Sequence, residues 1–332
     1  MRRPGATPAL IALVLVGALL PGCRDMQSAL APLGPEAARV AALWWVLFAG
    51  AVAIFTAVIA FTALAMFGAT RWRTALAGER AIVAGGVVFP LVTLTALLVY
   101  GVLVMRGNAA ADAPAPIRLT VVGEQWWWRV IYRGPDGETF ESANEVRIPA
   151  GRRADIALVS ADVIHSFWVP NLAGKVDMIP GRTNRITIEA DRPGVSRGQC
   201  TEYCGGAHAL MAFNVVAMEP GEYERWLAVE AAPAPGPRDA VEEHGRLIFR
   251  SNGCGACHAI RGTEARGVLG PDLTHLGSRI SLAAGILPND VEAIGRWIAS
   301  SQHIKPENKM PPFDIFSDEE LAALSQYLSG LK

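Results

Sequence analysis

Residues 200–211 read Cys200-Thr201-Glu202-Tyr203-Cys204-Gly205-Gly206-Ala207-His208-Ala209-Leu210-Met211, placing two thiols, an imidazole and a thioether within twelve residues. Such a set suits copper, whereas a structural zinc site closes with four Cys or His ligands and has no use for a methionine. A second imidazole is missing from the loop. His165, in Ile164-His165-Ser166-Phe167-Trp168, is the only other histidine between residues 116 and 230, and it lies at the end of a predicted strand. The surrounding sequence is β-rich: residues 117–122, 126–132, 145–148, 154–159 and 185–189 are short β-branched or aromatic runs. Gly134-Pro135-Asp136-Gly137 is a turn between two of these runs, and no helical period intervenes before about Glu222. Residues 116–230 therefore read as an all-β Greek-key sandwich or barrel with a copper loop near its end.

Downstream, residues 231–238 (Ala-Ala-Pro-Ala-Pro-Gly-Pro-Arg) form a semi-rigid linker, and a new domain spans 239–332. It carries Cys254-Gly255-Ala256-Cys257-His258, the attachment motif of c-type haem, in which two thiols add to the vinyl groups and the adjacent histidine reaches the iron. A disulfide between Cys254 and Cys257, or a zinc half-site shared with Cys200 and Cys204, leaves His258 without a purpose. Met310, in Lys309-Met310-Pro311-Pro312, is the only methionine after His258 and is read as the second axial ligand. Its competitors, His275 and His303, are then left as surface residues. Helices are expected over about 242–250, 290–300 and 317–331, the last opened by the capping box Ser317-Asp318-Glu319-Glu320.

Upstream, Arg2 and Arg3 precede an apolar stretch too short to cross a bilayer, so residues 1–22 read as a signal peptide. The small residues before Cys23 resemble a bacterial lipoprotein processing site, at which Cys23 becomes a lipidated N-terminus. Residues 40–67 and 81–105 contain no charge, and each exceeds the ~20 residues that a membrane-spanning helix needs. The intervening loop holds Arg71, Arg73 and Arg80 against the single acid Glu79, which places it in the cytoplasm and both flanking ends outside. A transmembrane hairpin over 38–106 thus anchors the copper and haem domains on the periplasmic face of a bacterial inner membrane.

The charge balance, 30 Lys and Arg against 31 Asp and Glu, provides no basic field for nucleic acid. Only 18% of the 332 residues are charged, and the deficit is concentrated in the first third of the chain. Four of the five cysteines fall in two tight clusters, unlike a disulfide framework.

With these motifs in place, the chain resembles subunit II of haem-copper oxygen reductases, and its fused haem domain resembles the class I cytochromes c, a combination found in caa3-type cytochrome c oxidases. That resemblance implies a two-helix transmembrane hairpin, an all-β cupredoxin-like Greek-key domain holding the dinuclear copper centre CuA, and an all-α cytochrome c domain. It also implies that Cys200 and Cys204 bridge the coppers, that His165 and His208 each ligate one, that Met211 is a weak ligand, and that Glu202 binds through its carbonyl. The Glu202 side chain would help hold magnesium or manganese at the interface with subunit I. Trp126, in Gln125-Trp126-Trp127-Trp128, would be the residue through which electrons come in, and the Pro271 carbonyl would accept the ring N–H of His258. The implied partners are subunit I and other oxidase subunits, membrane lipid, and a cytochrome c or quinol-oxidising complex as donor. Oxygen would be reduced to water in subunit I, with proton translocation. Two alternatives stay open on sequence: the equivalent subunit of a haem-copper nitric oxide reductase, and a membrane-tethered copper and haem redox sensor. The sequence departs from the family in one respect, because residues 81–90 (Ala-Ile-Val-Ala-Gly-Gly-Val-Val-Phe-Pro) lack the glutamate that often opens a proton channel there, and Glu79 lies just outside.

Overall fold

The computed structural model describes residues 26–109 and 117–332. The expected signal peptide, Cys23 and residues 110–116 lie outside the described residues. Helix α1 (Pro35–Phe67) begins after Gly34 with proline in its first turn and Glu36 beside the free N–H groups, and it stops at Gly68. A Cβ on Gly34 would sit 2.0 Å from the Glu189 carbonyl oxygen, so only glycine lets the chain pass there. The Leu33 N–H donates to the Asn171 carbonyl at 2.7 Å and the Ala37 N–H to the Leu172 carbonyl at 3.3 Å, which ties the head of α1 to the β domain.

Short helices α2 (Thr70–Leu76) and α3 (Glu79–Val83) lead through a π-helical turn, Ala84–Val88, into α4 (Phe89–Ala109). The wider turn lies just ahead of Pro90, whose missing N–H and bulky ring disrupt regular α-helical bonding. Pro35–Phe67 and Glu79–Met105 are both long and apolar enough to cross a membrane, and their apolar windows are unburied. Within α1, the Thr56 and Thr62 hydroxyls donate to the Val52 and Val58 carbonyls at 2.7 and 2.8 Å, so these polar groups are satisfied without water.

The β domain is a sandwich of two five-stranded sheets. The first comprises β1 (Ile117–Glu124), β2 (Trp127–Arg133), β3 (Thr139–Ala143), β5 (Ala154–Ser160) and β8 (Asn184–Ile188), in the order β3-β2-β1-β5-β8. The second comprises β4 (Glu145–Pro149), β6 (His165–Trp168), β7 (Val176–Met178), β9 (Gly194–Cys200) and β10 (Ala212–Met218), in the order β4-β10-β9-β6-β7. Alternation along β1 and β5 turns Leu119, Val121, Ile156 and Leu158 into the space between the sheets, where Trp128, Phe167 and Phe213 pack ring against ring. Gly198, opposite Phe213 in the β9–β10 register, leaves room for that ring, because a Cβ would meet it at 2.2 Å. Helix α5 (Pro220–Ala231) follows β10.

In the last domain, α6 (Ala240–Ser251) is capped by Asp239, α7 (Val291–Ile304) by Asp290, and α8 (Asp318–Gly330) by the full capping box of Ser317 and Glu320. Gly245 lets α6 approach α8 closely, since a Cβ there would lie 2.1 Å from the Ala323 carbonyl oxygen. A small hairpin, β11 (Ser281–Leu282) and β12 (Leu287–Pro288), turns through Ala283, Ala284 and Gly285, all with positive φ. This turn lies on the β sandwich: the Ala212 N–H donates to the Ala284 carbonyl at 3.0 Å, and the Arg197 guanidinium to the Gly285 carbonyl at 2.8 Å. Around it, the Ile280 N–H donates to the Glu145 carboxylate at 2.8 Å and Arg147 to the Ser278 carbonyl at 2.9 Å. The connecting Pro/Ala stretch is pinned as well, for the Ala234 N–H donates to the Arg261 carbonyl at 2.9 Å.

Candidate metal centre

Cys200 ends β9 and Ala212 starts β10, so the loop between them is closed at its base by the antiparallel ladder and by the Cys200 N–H donating to the Met211 carbonyl at 2.9 Å. His165 opens β6, the neighbour of β9, and Phe167 pairs with Cys200, which brings the imidazole beside the thiols. The donor atoms converge: Cys200 Sγ lies 3.8 Å from Cys204 Sγ, 3.9 Å from His165 Nδ1 and 3.2 Å from the Glu202 carbonyl oxygen. Cys204 Sγ lies 3.4 Å from His208 Nδ1 and 3.8 Å from Met211 Sδ. His165, Cys200, Cys204 and Met211 are buried, and His208 and Glu202 are half-buried.

The electrostatics favour a thiolate. The hydrogen bond from Cys204 is the largest influence on the Cys200 thiol, and with further help from His165 it brings the thiol down to about 4. The same shared proton, with burial, pushes Cys204 up. Burial alone lowers His165, but its hydrogen bonds to Cys200 and Asp162 outweigh that and raise it. A cluster of soft donors with one thiolate already favoured fits copper on this chain's own residues.

Sequence reasoning missed the supports of this cluster. Asp162 Oδ1 lies 2.8 Å from His165 Nε2, fixing the ring so that Nδ1 faces Cys200. An acid three residues before a ligand histidine was the available signal. Gly123 packs against the same ring, where a Cβ would come within 2.8 Å. Trp126, read as the point where electrons come in, is buried, and its indole N–H donates to the Cys204 carbonyl at 3.0 Å. The Gln125 amide donates to the same oxygen at 2.7 Å.

The haem motif is built differently. Gly253, in the left-handed region at φ 71°, ends α6 and starts a 3-10 turn over Cys254–Ala256. The His258 N–H donates to the Cys254 carbonyl at 3.0 Å. His258 Nδ1 lies 2.8 Å from the Pro271 carbonyl oxygen, leaving Nε2 as its free ring nitrogen. Burial is the main cause that lowers His258, which keeps the imidazole neutral and able to bind iron. A Cβ on Gly270 would lie 2.5 Å from the His258 ring, and one on Gly267 2.3 Å from the Cys257 carbonyl carbon, so two glycines let residues 267–270 close over the motif. Cys254 is half-buried and Cys257 exposed. Met310 is half-buried against the helical core, and its carbonyl accepts from Ser301 at 2.9 Å and Gln302 at 2.8 Å. A half-buried and an exposed thiol beside a neutral, oriented histidine suit covalent haem. One expectation is corrected: His275 is buried, not a surface residue, because its Nε2 lies 3.1 Å from the Ala232 carbonyl and anchors the stretch after α5. His303 is exposed.

Fold and sites together define a cupredoxin-like copper protein with two long apolar helices ahead of it and a c-type cytochrome behind. Residues 134–218 match the family described as cytochrome c oxidase subunit II, periplasmic domain, and residues 242–332 match cytochrome c. Cytochrome c oxidase subunit 2 of Alkalihalophilus pseudofirmus is 40% identical over 216 residues, covering 65% of this chain and 61% of that protein. The Bacillus subtilis protein of the same name is 31% identical over 237 residues, covering 68% of this chain and 65% of that one. The crystal structure of the periplasmic domain of subunit II of cytochrome oxidase from Bradyrhizobium japonicum is 30% identical, with a TM-score of 0.34, covering 36% of this chain and 95% of that one. Residues 134–218 thus carry the periplasmic domain of cytochrome c oxidase subunit II, and residues 242–332 a cytochrome c domain. The chain spans a little over three fifths of the length of the curated relatives named here.

Proposed function

We propose that this chain is the electron-accepting subunit of a caa3-type haem-copper oxidase, serving oxygen reduction in subunit I, with a cytochrome c or a quinol-oxidising complex as donor. The observation that carries this reading is the convergence of Cys200, Cys204, His165, His208 and Met211 in one chain with Cys254-x-x-Cys257-His258. Bound here, a copper pair and a covalent haem supply one-electron exchange. Cys200, Cys204, His165, His208, Met211 and the Glu202 carbonyl would hold the metals. Cys254 and Cys257 would attach the haem, and His258, oriented by Pro271, would hold its iron together with Met310. Asp162 holds the His165 ring in place, and the closed loop buries His165, Cys200, Cys204 and Met211. Trp126 is the residue by which electrons reach the copper loop, a role supported by its hydrogen bond to the Cys204 carbonyl.

In this reading Glu202 also offers its carboxylate to magnesium or manganese against subunit I. The hairpin over 38–106 lies in a bacterial plasma membrane with the Arg71, Arg73 and Arg80 loop in the cytoplasm, and the copper domain (116–230), linker (231–238) and cytochrome domain (239–332) face outward. The test is an electron paramagnetic resonance spectrum of the oxidised full chain, matured with haem and loaded with copper. A signal from one electron shared by two coppers beside low-spin haem is expected; a mononuclear copper signal overturns the reading.

A further inference from the structure

Lys305 follows the last turn of α7 and is only 3% exposed. Its ammonium donates to the Trp126 carbonyl at 2.5 Å and to the Ala283 carbonyl at 3.2 Å. One of these acceptors belongs to its own domain. The other belongs to the residue whose indole grips the copper loop. Lysine is rarely buried this deeply without a carboxylate, and burial is the main cause that brings its ammonium down to about 7. An exposed lysine would satisfy the fold of the cytochrome domain at lower cost, so the position calls for a reason beyond that domain.

The neighbourhood gives one. Lys309 lies 3.6 Å from Asp162, the carboxylate that orients His165. Gly206 of the copper loop faces the Glu307 side chain so closely that a Cβ would meet it at 2.2 Å. Arg129, next to the Trp126–Trp128 run, donates to the Val268 carbonyl at 2.8 Å, two residues before the glycine that packs on His258. The segments nearest each cofactor motif thus face each other, and Lys305 is the buried member of the contact.

We propose that Lys305 is a positioning residue that registers the cytochrome domain on Trp126 and so sets how efficiently one electron crosses from the haem motif to the copper loop. Lys305 acts through the Trp126 backbone: its hydrogen bonds go to the Trp126 and Ala283 carbonyls, and its charge alone reaches Cys204. The transfer concerned oxidises the haem iron by one unit and reduces the copper pair by one, with no bond or proton moved. This inference rests on the electron-transfer reading above.

The experiment compares wild type, Lys305→Met and Lys305→Gln as full-length chains with both centres loaded. Three quantities are read: intrachain electron transfer after photoreduction of the haem, the spectrum of each centre, and hydrogen exchange at the Ala212 and Ile280 amides, which bond across the boundary. Lys305→Met is expected to slow the transfer about ten-fold or more, because small displacements are costly in a positioned reaction, while both spectra stay unchanged and the two amides exchange faster. Lys305→Gln keeps a donor and should fall between the two, and it carries the test if the methionine variant does not fold. An unchanged rate, unchanged amide exchange, or loss of the copper spectrum together with the rate overturns the proposal. Wild type showing no transfer would overturn the electron-transfer reading instead, and amide exchange still decides whether Lys305 holds the domains together.

Discussion

The copper loop and the haem motif use the same residue types, two cysteines and a histidine, yet they differ in almost every physical respect. In the loop, Cys200 and Cys204 are 2% and 3% exposed with their sulfurs 3.8 Å apart, and a further histidine arrives from a neighbouring strand. In the motif, Cys254 is half-buried, Cys257 is exposed, and His258 turns to the Pro271 carbonyl. Three-residue spacers on a loop closed by a ladder fold both thiols inward and together. A single two-residue spacer on a 3-10 turn leaves one thiol half-buried and the other exposed. One feature is common to both. Each histidine is held by an oxygen acceptor, Asp162 or Pro271, and packed closely by a glycine, Gly123 or Gly270.

The contrast breaks most completely at the thiols. Cys200→Ser should abolish the shared-electron copper signal and leave haem absorbance intact, whereas Cys257→Ser should leave copper intact and shift the pyridine haemochrome spectrum toward a single thioether. If either change disturbs both centres, the two sites are not independent. Next in size is Asp162→Asn, which keeps a side chain beside His165 but removes its charge. Copper affinity should fall by about 10–100-fold with the spectrum retained, measured by competition with a chelator. The matched pair Gly123→Ala and Gly270→Ala follows. Each forces a methyl group into a histidine ring and should cost about 1–3 kcal/mol, Gly123→Ala broadening the copper signal and Gly270→Ala weakening haem ligation. An effect at only one of the two would show that the parallel is superficial.

The smallest effect lies away from both sites, at the start of α8. Ser317→Ala removes the serine cap and should cost about 1 kcal/mol in the cytochrome domain's thermal unfolding, with the copper domain unaffected. The hydrogen bonds from Ser317 hold Glu320 below the ordinary glutamate value of 4.5. Because the folded value is depressed, the stabilisation is complete above 4.5 and disappears as pH falls through the lower folded value. The Ser317→Ala chain should therefore lose less stability than wild type on acidification across that window.

Much of this was legible without coordinates. The runs at 117–122, 145–148 and 154–159 correspond to β1, β4 and β5, and the helices expected at 242–250, 290–300 and 317–331 correspond to α6, α7 and α8 to within a few residues. Strands β3, β7, β9 and β10 were not anticipated. Two are short, and Gly194, Gly198 and the ligand cysteine interrupt the pattern of β9, so tertiary pairing outweighs local preference there.

The sequence by itself determined the donor chemistry and the two apolar spans, since ligand softness, motif spacing and hydrophobic length are properties of neighbouring residues. It could not determine that His275 is buried, that Gly123 packs on His165, or that Lys305 reaches Trp126, 179 positions away in the chain. Those contacts form only when β1 faces His165 across the sandwich and when the cytochrome domain settles on the β domain and on the stretch after α5. They join residues that no local pattern connects, so their partners are chosen by packing and by the need of each buried polar group for a hydrogen bond.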